Sequence, residues 1–398
     1  MSTQYNPNVI RIDNSLELST IEGEYEKLQS RSNVDLHISI RTNTNIFGTV
    51  PAIIQLAIFW NKQSTEGIIT IDINDESEIE KLYELDYVFP IIVHCWSRQI
   101  KNKGGSDLKS VLRKYNNEQN TKMKNQDNKG FKILLSCFDH LSTSKGLINS
   151  FYTDNEFIEN EMLFEYAIQK ALKGVLQFNR QLSVANIGPI YGDIVEIIYE
   201  LIKNTHDWAT TDSYNKPLNP STRGLYLKFH RGKTDNFASA YRQHLGLYDY
   251  FTGDNFVENT INELYFLEIS VYDSGIGFVQ RFNSESSEST PVNEQVEIIK
   301  KCMLLNSTSA TGIPKTFKGK GLDRIMNILN KKGFLWIRTA SVSLFRNLQK
   351  NNLMQDQKVE NTQLYDWFTN STTNFSTLTA VKGSVITIVY PISTTRNA

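Results

Sequence analysis

From Asp193 to Trp208 the chain reads DIVEIIYELIKNTHDW, and Ile194, Ile197, Ile198, Leu201 and Ile202 recur at helical spacing. That period predicts one amphipathic helix with a single apolar stripe. At about 100° per residue, Asp193, Glu196, Glu200, Asn204 and Asp207 share the opposite side. No Lys or Arg of the helix stands among them, and Lys203 points elsewhere. Like charges at i,i+4 destabilise a helix by about 0.2–0.5 kcal/mol per pair. A metal ion, a polar ligand or water is expected to relieve this face.

The first part of the chain alternates strand and helix patterns. Val34, Leu36, Ile38 and Ile40 alternate with polar residues, the period of a half-buried strand. Thr49 to Lys62 reads as a helix with Pro51 in its first turn. Gly67 to Ile73 reads as a β-branched strand, and Asp75 caps a helix running to about Asp86. Val88 to Trp96 is apolar and fits a strand or a buried helix. Phe131 to Cys137 reads as another strand. The alternation predicts a small α/β domain over residues 1–150. It resembles the STAS-type domains found beside bacterial signalling ATPases, which implies a regulatory or partner-binding role. Within it, Lys101 to Lys129 is rich in Lys, Asn and Gln. It reads as a solvated loop with a short helix near Leu108 to Tyr115. Nucleic-acid phosphate contact is only weakly supported, because few aromatics are interleaved.

A long amphipathic helix is expected from Asn155 to Leu182, with Phe157, Met162, Leu172, Val175 and Phe178 among its core positions. Strands are expected at Gly224 to His230, Leu264 to Tyr272, Gly333 to Ala340 and Val385 to Tyr390. Two insertions interrupt them, at about 232–260 and 341–382.

Composition narrows the function classes. The chain has 398 residues, 40% hydrophobic and 21% charged, with a net charge of −1. Two domains are expected at this length, with no global attraction to nucleic acid or anionic lipid. Cys95, Cys137 and Cys302 are far apart and form no CxxC pair, so neither a disulfide framework nor a zinc site is supported. No apolar run has the length of a membrane span. A cytoplasmic location is expected.

The chemistry concentrates in the second part. The strand ending at Tyr272 runs into Asp273-Ser274-Gly275-Ile276-Gly277. A carboxylate there can accept a hydrogen bond from an exocyclic amine, and the glycines let a flat ring approach the backbone. Farther on, Lys318-Gly319-Lys320-Gly321-Leu322 feeds a helix. A glycine turn at a helix N-terminus favours phosphate, although the Walker A pattern is absent. Gly383-Ser384 opens the last strand.

In order, these are Glu200, Asn204 and Asp207 on a helix, Asp273, Gly275 and Gly277 after a strand, Gly319, Gly321 and Leu322 before a helix, and Gly383-Ser384. The series resembles the GHKL superfamily of ATPases, named for gyrase, heat-shock chaperone, histidine kinase and MutL. It covers about Asp193 to Pro391. The resemblance implies an α/β sandwich over residues 151–398, with helices on one face of a mixed sheet and ATP between them. Asn204 would hold Mg²⁺, and Glu200 would be the general base. Asp273 would bind the adenine amine, with Gly275 and Gly277 shaping its pocket. Gly319, Lys320, Gly321 and Leu322 would cradle phosphates, Ser384 would stand near the base, and Asp207 would be a second acid. Trp208 departs from the Ala of several members and alters the pocket rim.

The implied activity is Mg²⁺-dependent ATP hydrolysis that switches the surface shown to a protein partner or to a second copy. The alternatives are a serine/threonine kinase of anti-sigma-factor type and a non-hydrolysing ATP-binding scaffold. A phospho-accepting His is absent from Asn155 to Leu182, which argues against a histidine kinase. The chain is expected to lack the C-terminal domain by which gyrase- and MutL-type enzymes couple hydrolysis to closure.

Overall fold

The computed structural model describes residues 8–42, 44–127, 130–176, 184–253, 256–283, 287–304, 321–354 and 359–392. The chain divides into two compact units, Met1–Asn125 and Gln126–Ala398.

In the first unit, strands β1 (Val9–Ile12), β2 (Asp35–Ile38), β3 (Ile69–Ile71) and β4 (Ile100–Asn102) form a parallel sheet in that order. Helices α1 (Ile21–Ser30), α2 (Thr49–Gln63), α3 (Ile79–Leu82), α4 (Val88–His94) and α5 (Lys109–Lys124) connect and extend it. The short strands alternate buried and half-buried positions, as the period of Leu36 and Ile38 predicts. The ambiguous run from Val88 resolves as the helix α4. Helix α2 is buried from Thr49 to Trp60, and Trp60 Nε1 donates to Val34 O at 2.6 Å. Asp75 Oδ1 accepts the Ser77 N–H at 2.8 Å, which opens a 3-10 turn before α3. The lysine-rich stretch is a helix of 16 residues, α5, longer than the short one expected. Leu112 and Met123 anchor its two ends in the core.

In the second unit the strands are β5 (Lys132–Cys137), the small hairpin β6 (Tyr152–Thr153) and β7 (Glu156–Phe157), then β8 (Arg223–Gly232), β9 (Leu264–Asp273), β10 (Phe334–Ala340), β11 (Val342–Asn347), β12 (Tyr365–Asp366) and β13 (Val381–Pro391). The main sheet has the order β12-β11-β10-β13-β9-β8-β5. Every neighbouring pair in it is antiparallel, where the resemblance implied a mixed sheet. The helices are α6 (Thr143–Gly146), α7 (Glu161–Leu176), α8 (Val184–Trp208), α9 (Thr234–Ala240), α10 (Leu245–Phe251), α11 (Gly277–Asn283), α12 (Val292–Cys302) and α13 (Gly321–Leu329). Among the described residues, no helix is long and apolar enough to cross a membrane.

Three expectations shift. The strand at Lys132–Cys137 pairs with β8, from Lys132↔Lys228 to Cys137↔Arg223, so the division falls at 125/126 and not near 150. The stretch 341–382 is no plain insertion, because β11 pairs with β10 and carries β12 on its outer edge. The helix expected from Asn155 starts at Glu161, after a hairpin whose turn residues Asp154 and Asn155 take positive φ. Met162, an expected core position, is 76% exposed; Phe178 lies outside the described residues.

Helix α8 lays its isoleucine stripe on β8 and β9 and packs beside α13. On β9, Val271 and Asp273 face the helical side. Phe266 alternates with them and meets Phe237, Phe251 and Phe256 of the 232–260 insertion, which therefore covers the opposite face.

Candidate functional site

A cavity of about 630 Å³ opens between α8, the end of β9, the first half of β13, and the starts of α11 and α13. Glu200, Asn204, Asp207, Asp273, Gly277, Gly321, Leu322 and Ser384 all line it. Gly275 lies just beneath; a Cβ there would meet Ala209 Cα at 2.8 Å. Gly319 and Lys320 lie outside the described residues.

The expected site therefore has two ends, each with a buried carboxylate. At one end stands Asp273, 8% exposed, the last residue of β9. Its Oδ1 accepts the Gly275 N–H at 2.8 Å, and the Ser384 backbone N–H also donates to the carboxyl. Burial pushes its pKa up to about 7, against the pull of these N–H groups and of the Arg223 and Arg281 charges. The backbone around it leaves no room for side chains. Gly383 has φ +72, and a Cβ there would fall 1.9 Å from Asp273 O. Thr339 Oγ1 donates to Gly383 O at 3.0 Å and lies 3.1 Å from Ser384 Oγ. Val271, two residues before Asp273, and Ile386, two residues after Ser384, give this end apolar walls.

The other end is built by one turn of α8. Glu200 and Asn204 are at i and i+4 and so face the same way. Glu200 is 7% exposed, and burial raises its pKa while Arg324 and Lys203 oppose the rise. A Cβ on Gly321 would stand 2.6 Å from Glu200 Oε2 and 3.4 Å from Asn204 Nδ2, so the start of α13 presses directly on this pair.

The acid face of α8 is relieved by cations from elsewhere in the chain. Arg324 donates to Glu200 Oε1 at 2.5 Å, Glu196 Oε1 at 2.6 Å and Glu161 Oε1 at 3.0 Å. Lys332 reaches Asp193 Oδ2 at 2.8 Å, and the Tyr390 hydroxyl donates to the same oxygen at 2.7 Å. Neither pairing was foreseen, since Arg324 lies 124 residues beyond Glu200. The available signal was a basic residue in the first turn of the helix that follows the glycine motif.

The rim carries further unforeseen groups. Arg281 donates to Trp208 O and Thr211 O, both at 2.8 Å, and its guanidinium sits 6.0 Å from the Trp208 ring centre. This pins the departure at Trp208 against α11. Lys203 Nζ lies 5.7 Å from the Tyr199 ring centre and 5.9 Å from that of Phe157, and it lines the cavity. Asp139 and His140 do not line the cavity. Asp139 pairs with buried Arg223 at 2.7 Å, and His140 Nδ1 accepts the Ser221 N–H at 3.1 Å.

Comparison of the chain with protein-family models, curated proteins and solved structures finds no match.

Proposed function

We propose that the second unit is a GHKL-type nucleotide-binding module that binds Mg²⁺·ATP in this cavity and hydrolyses it. The observation that carries the reading is that Glu200, Asn204 and Asp273, from α8 and from the end of β9, line one cavity. Its volume of about 630 Å³ suits a nucleotide, since small-molecule sites commonly span about 300–1,000 Å³.

The donor set fits the ligands. Magnesium prefers oxygen, keeps several waters and shares substrate phosphates, so a single amide oxygen, that of Asn204, is a sufficient protein contribution. When bound, the ion would supply charge neutralisation on the phosphates. Gly321 brings the N-terminus of α13 to the same end, where free N–H groups favour phosphate.

The chain's own residues then divide the work. Asp273 accepts a hydrogen bond from the adenine amine, and Val271 and Ile386 flank the ring. Glu200 takes a proton from a water as its oxygen bonds to the γ-phosphorus. The bond from that phosphorus to the bridging oxygen breaks, giving ADP and phosphate. Ordering of nucleotide between α8 and α13 would change the surface offered to a protein partner or a second copy.

Calorimetric titration with a nonhydrolysable ATP analogue and Mg²⁺ tests the reading. Wild-type binding that weakens in Asn204→Ala is expected. No binding, or equal binding by the variant, would overturn it.

A further inference from the structure

One charged side chain at the phosphate end has no part in the scheme above. Arg324 stands three residues after Gly321, so both lie on the side of α13 that faces α8. Its Nη1 engages Glu200 Oε1, while Glu200 Oε2 lies against Gly321 and beside the Asn204 amide. The guanidinium is itself held from two other directions, by Glu196 one turn earlier on α8 and by Glu161 on the first turn of α7. It reaches inward: the Arg324 side chain is 35% exposed and that of Glu200 10%.

We propose that Arg324 is a positioning residue for the hydrolytic step, fixing the Glu200 carboxylate so that Oε2 is the oxygen presented to the attacking water. This inference rests on the ATP-hydrolysis reading. A glutamate reaches its carboxylate through three rotatable bonds, and a base that wanders by an ångström loses much of its advantage. A planar guanidinium bonded to three carboxylates removes that freedom, because its donors are fixed in one fork. Asn204 stays outside the clamp, free for phosphate and metal. The arrangement also couples α7 to the base, since Glu161 and Glu200 share the same Nη1.

Steady-state hydrolysis and analogue binding by wild type, Arg324→Ala, Arg324→Lys, Glu200→Gln and the Arg324→Ala/Glu200→Gln pair test it. Arg324→Ala should lower kcat by about 10- to 100-fold while KM and the analogue Kd move less than about threefold. Arg324→Lys should recover part of kcat. The double variant should be no slower than Glu200→Gln alone, because both act through one group. Should Arg324→Ala fail to fold, Arg324→Lys and Arg324→Gln carry the same kcat-against-KM comparison. Full kcat in the arginine variants, a parallel fall of kcat and affinity, or additive losses in the double variant would overturn the assignment. Turnover that Glu200→Gln abolishes and Arg324→Ala leaves intact sinks the arginine's role alone. A wild type without turnover sinks the hydrolytic reading and this inference together.

Discussion

Asp273 and Glu200 are both buried carboxylates on one cavity, yet the fold treats them differently. Asp273 receives backbone N–H groups, and burial still pushes its pKa up to about 7. Glu200 receives a guanidinium at 2.5 Å, and that cation is in turn held by two more acids. Under the proposed reading Asp273 accepts from a neutral amine; its direct donors are backbone N–H groups, with the Arg223 and Arg281 charges acting from farther off. Under the same reading Glu200 removes a proton; burial raises its pKa and the Arg324 charge opposes that rise. The two ends thus differ in electrostatics before any ligand arrives.

The comparison breaks first at the base. Glu200→Gln should reduce phosphate release by about 10²- to 10⁴-fold while analogue affinity stays within about threefold. Equal turnover would remove the hydrolytic role from this end. The opposite pattern is expected at Asp273. Asp273→Ala should weaken ATP binding about 10- to 100-fold in calorimetry, through loss of a charged hydrogen bond of about 1.5–3 kcal/mol. A variant that binds as tightly as wild type would show that the carboxylate does not read the base. Gly321→Ala sharpens the phosphate end. A methyl group 2.6 Å from Glu200 Oε2 displaces that carboxylate, so kcat should fall roughly tenfold with little change in melting temperature.

The pH dependence is the subtlest test and belongs to Asp273. Its amine partner requires the ionised carboxylate, so ATP affinity should rise about tenfold from pH 6 to pH 8 and then level off. Stability of the free protein should move the other way. A folded-state pKa raised from 3.8 to about 7 gives a contribution that is complete below pH 4 and lost as pH climbs toward 7. Melting curves across that window should show the slope, and Asp273→Asn should flatten both profiles.

How much of this was legible in the chain follows the range of the interactions. The stripe Ile194, Ile197, Ile198, Leu201 and Ile202, and the spacing of Glu200 and Asn204, lie within a few turns of one helix. Local geometry alone dictates that they share faces. Asp273 at the end of β9 is equally local, since strand alternation and the following glycines mark it. By contrast, the partner of β5 lies in β8 and the partner of β11 in β10, and nothing within a short strand says which other strand it will meet.

The chain by itself therefore marked α2, α8 from Asp193 onward, the strands β2, β3, β5, β8, β9, β10 and β13, and the residue types at each end of the cavity, because each is set by neighbours close in sequence, whereas α9, α10 and α11 went unmarked. Only the tertiary structure decided that β5 joins the large sheet and that the strands there all run antiparallel. It alone set Arg324 and Lys332 against acids more than a hundred residues away. Ion pairing depends on distance in space, and the path between two such residues runs through every element folded in between.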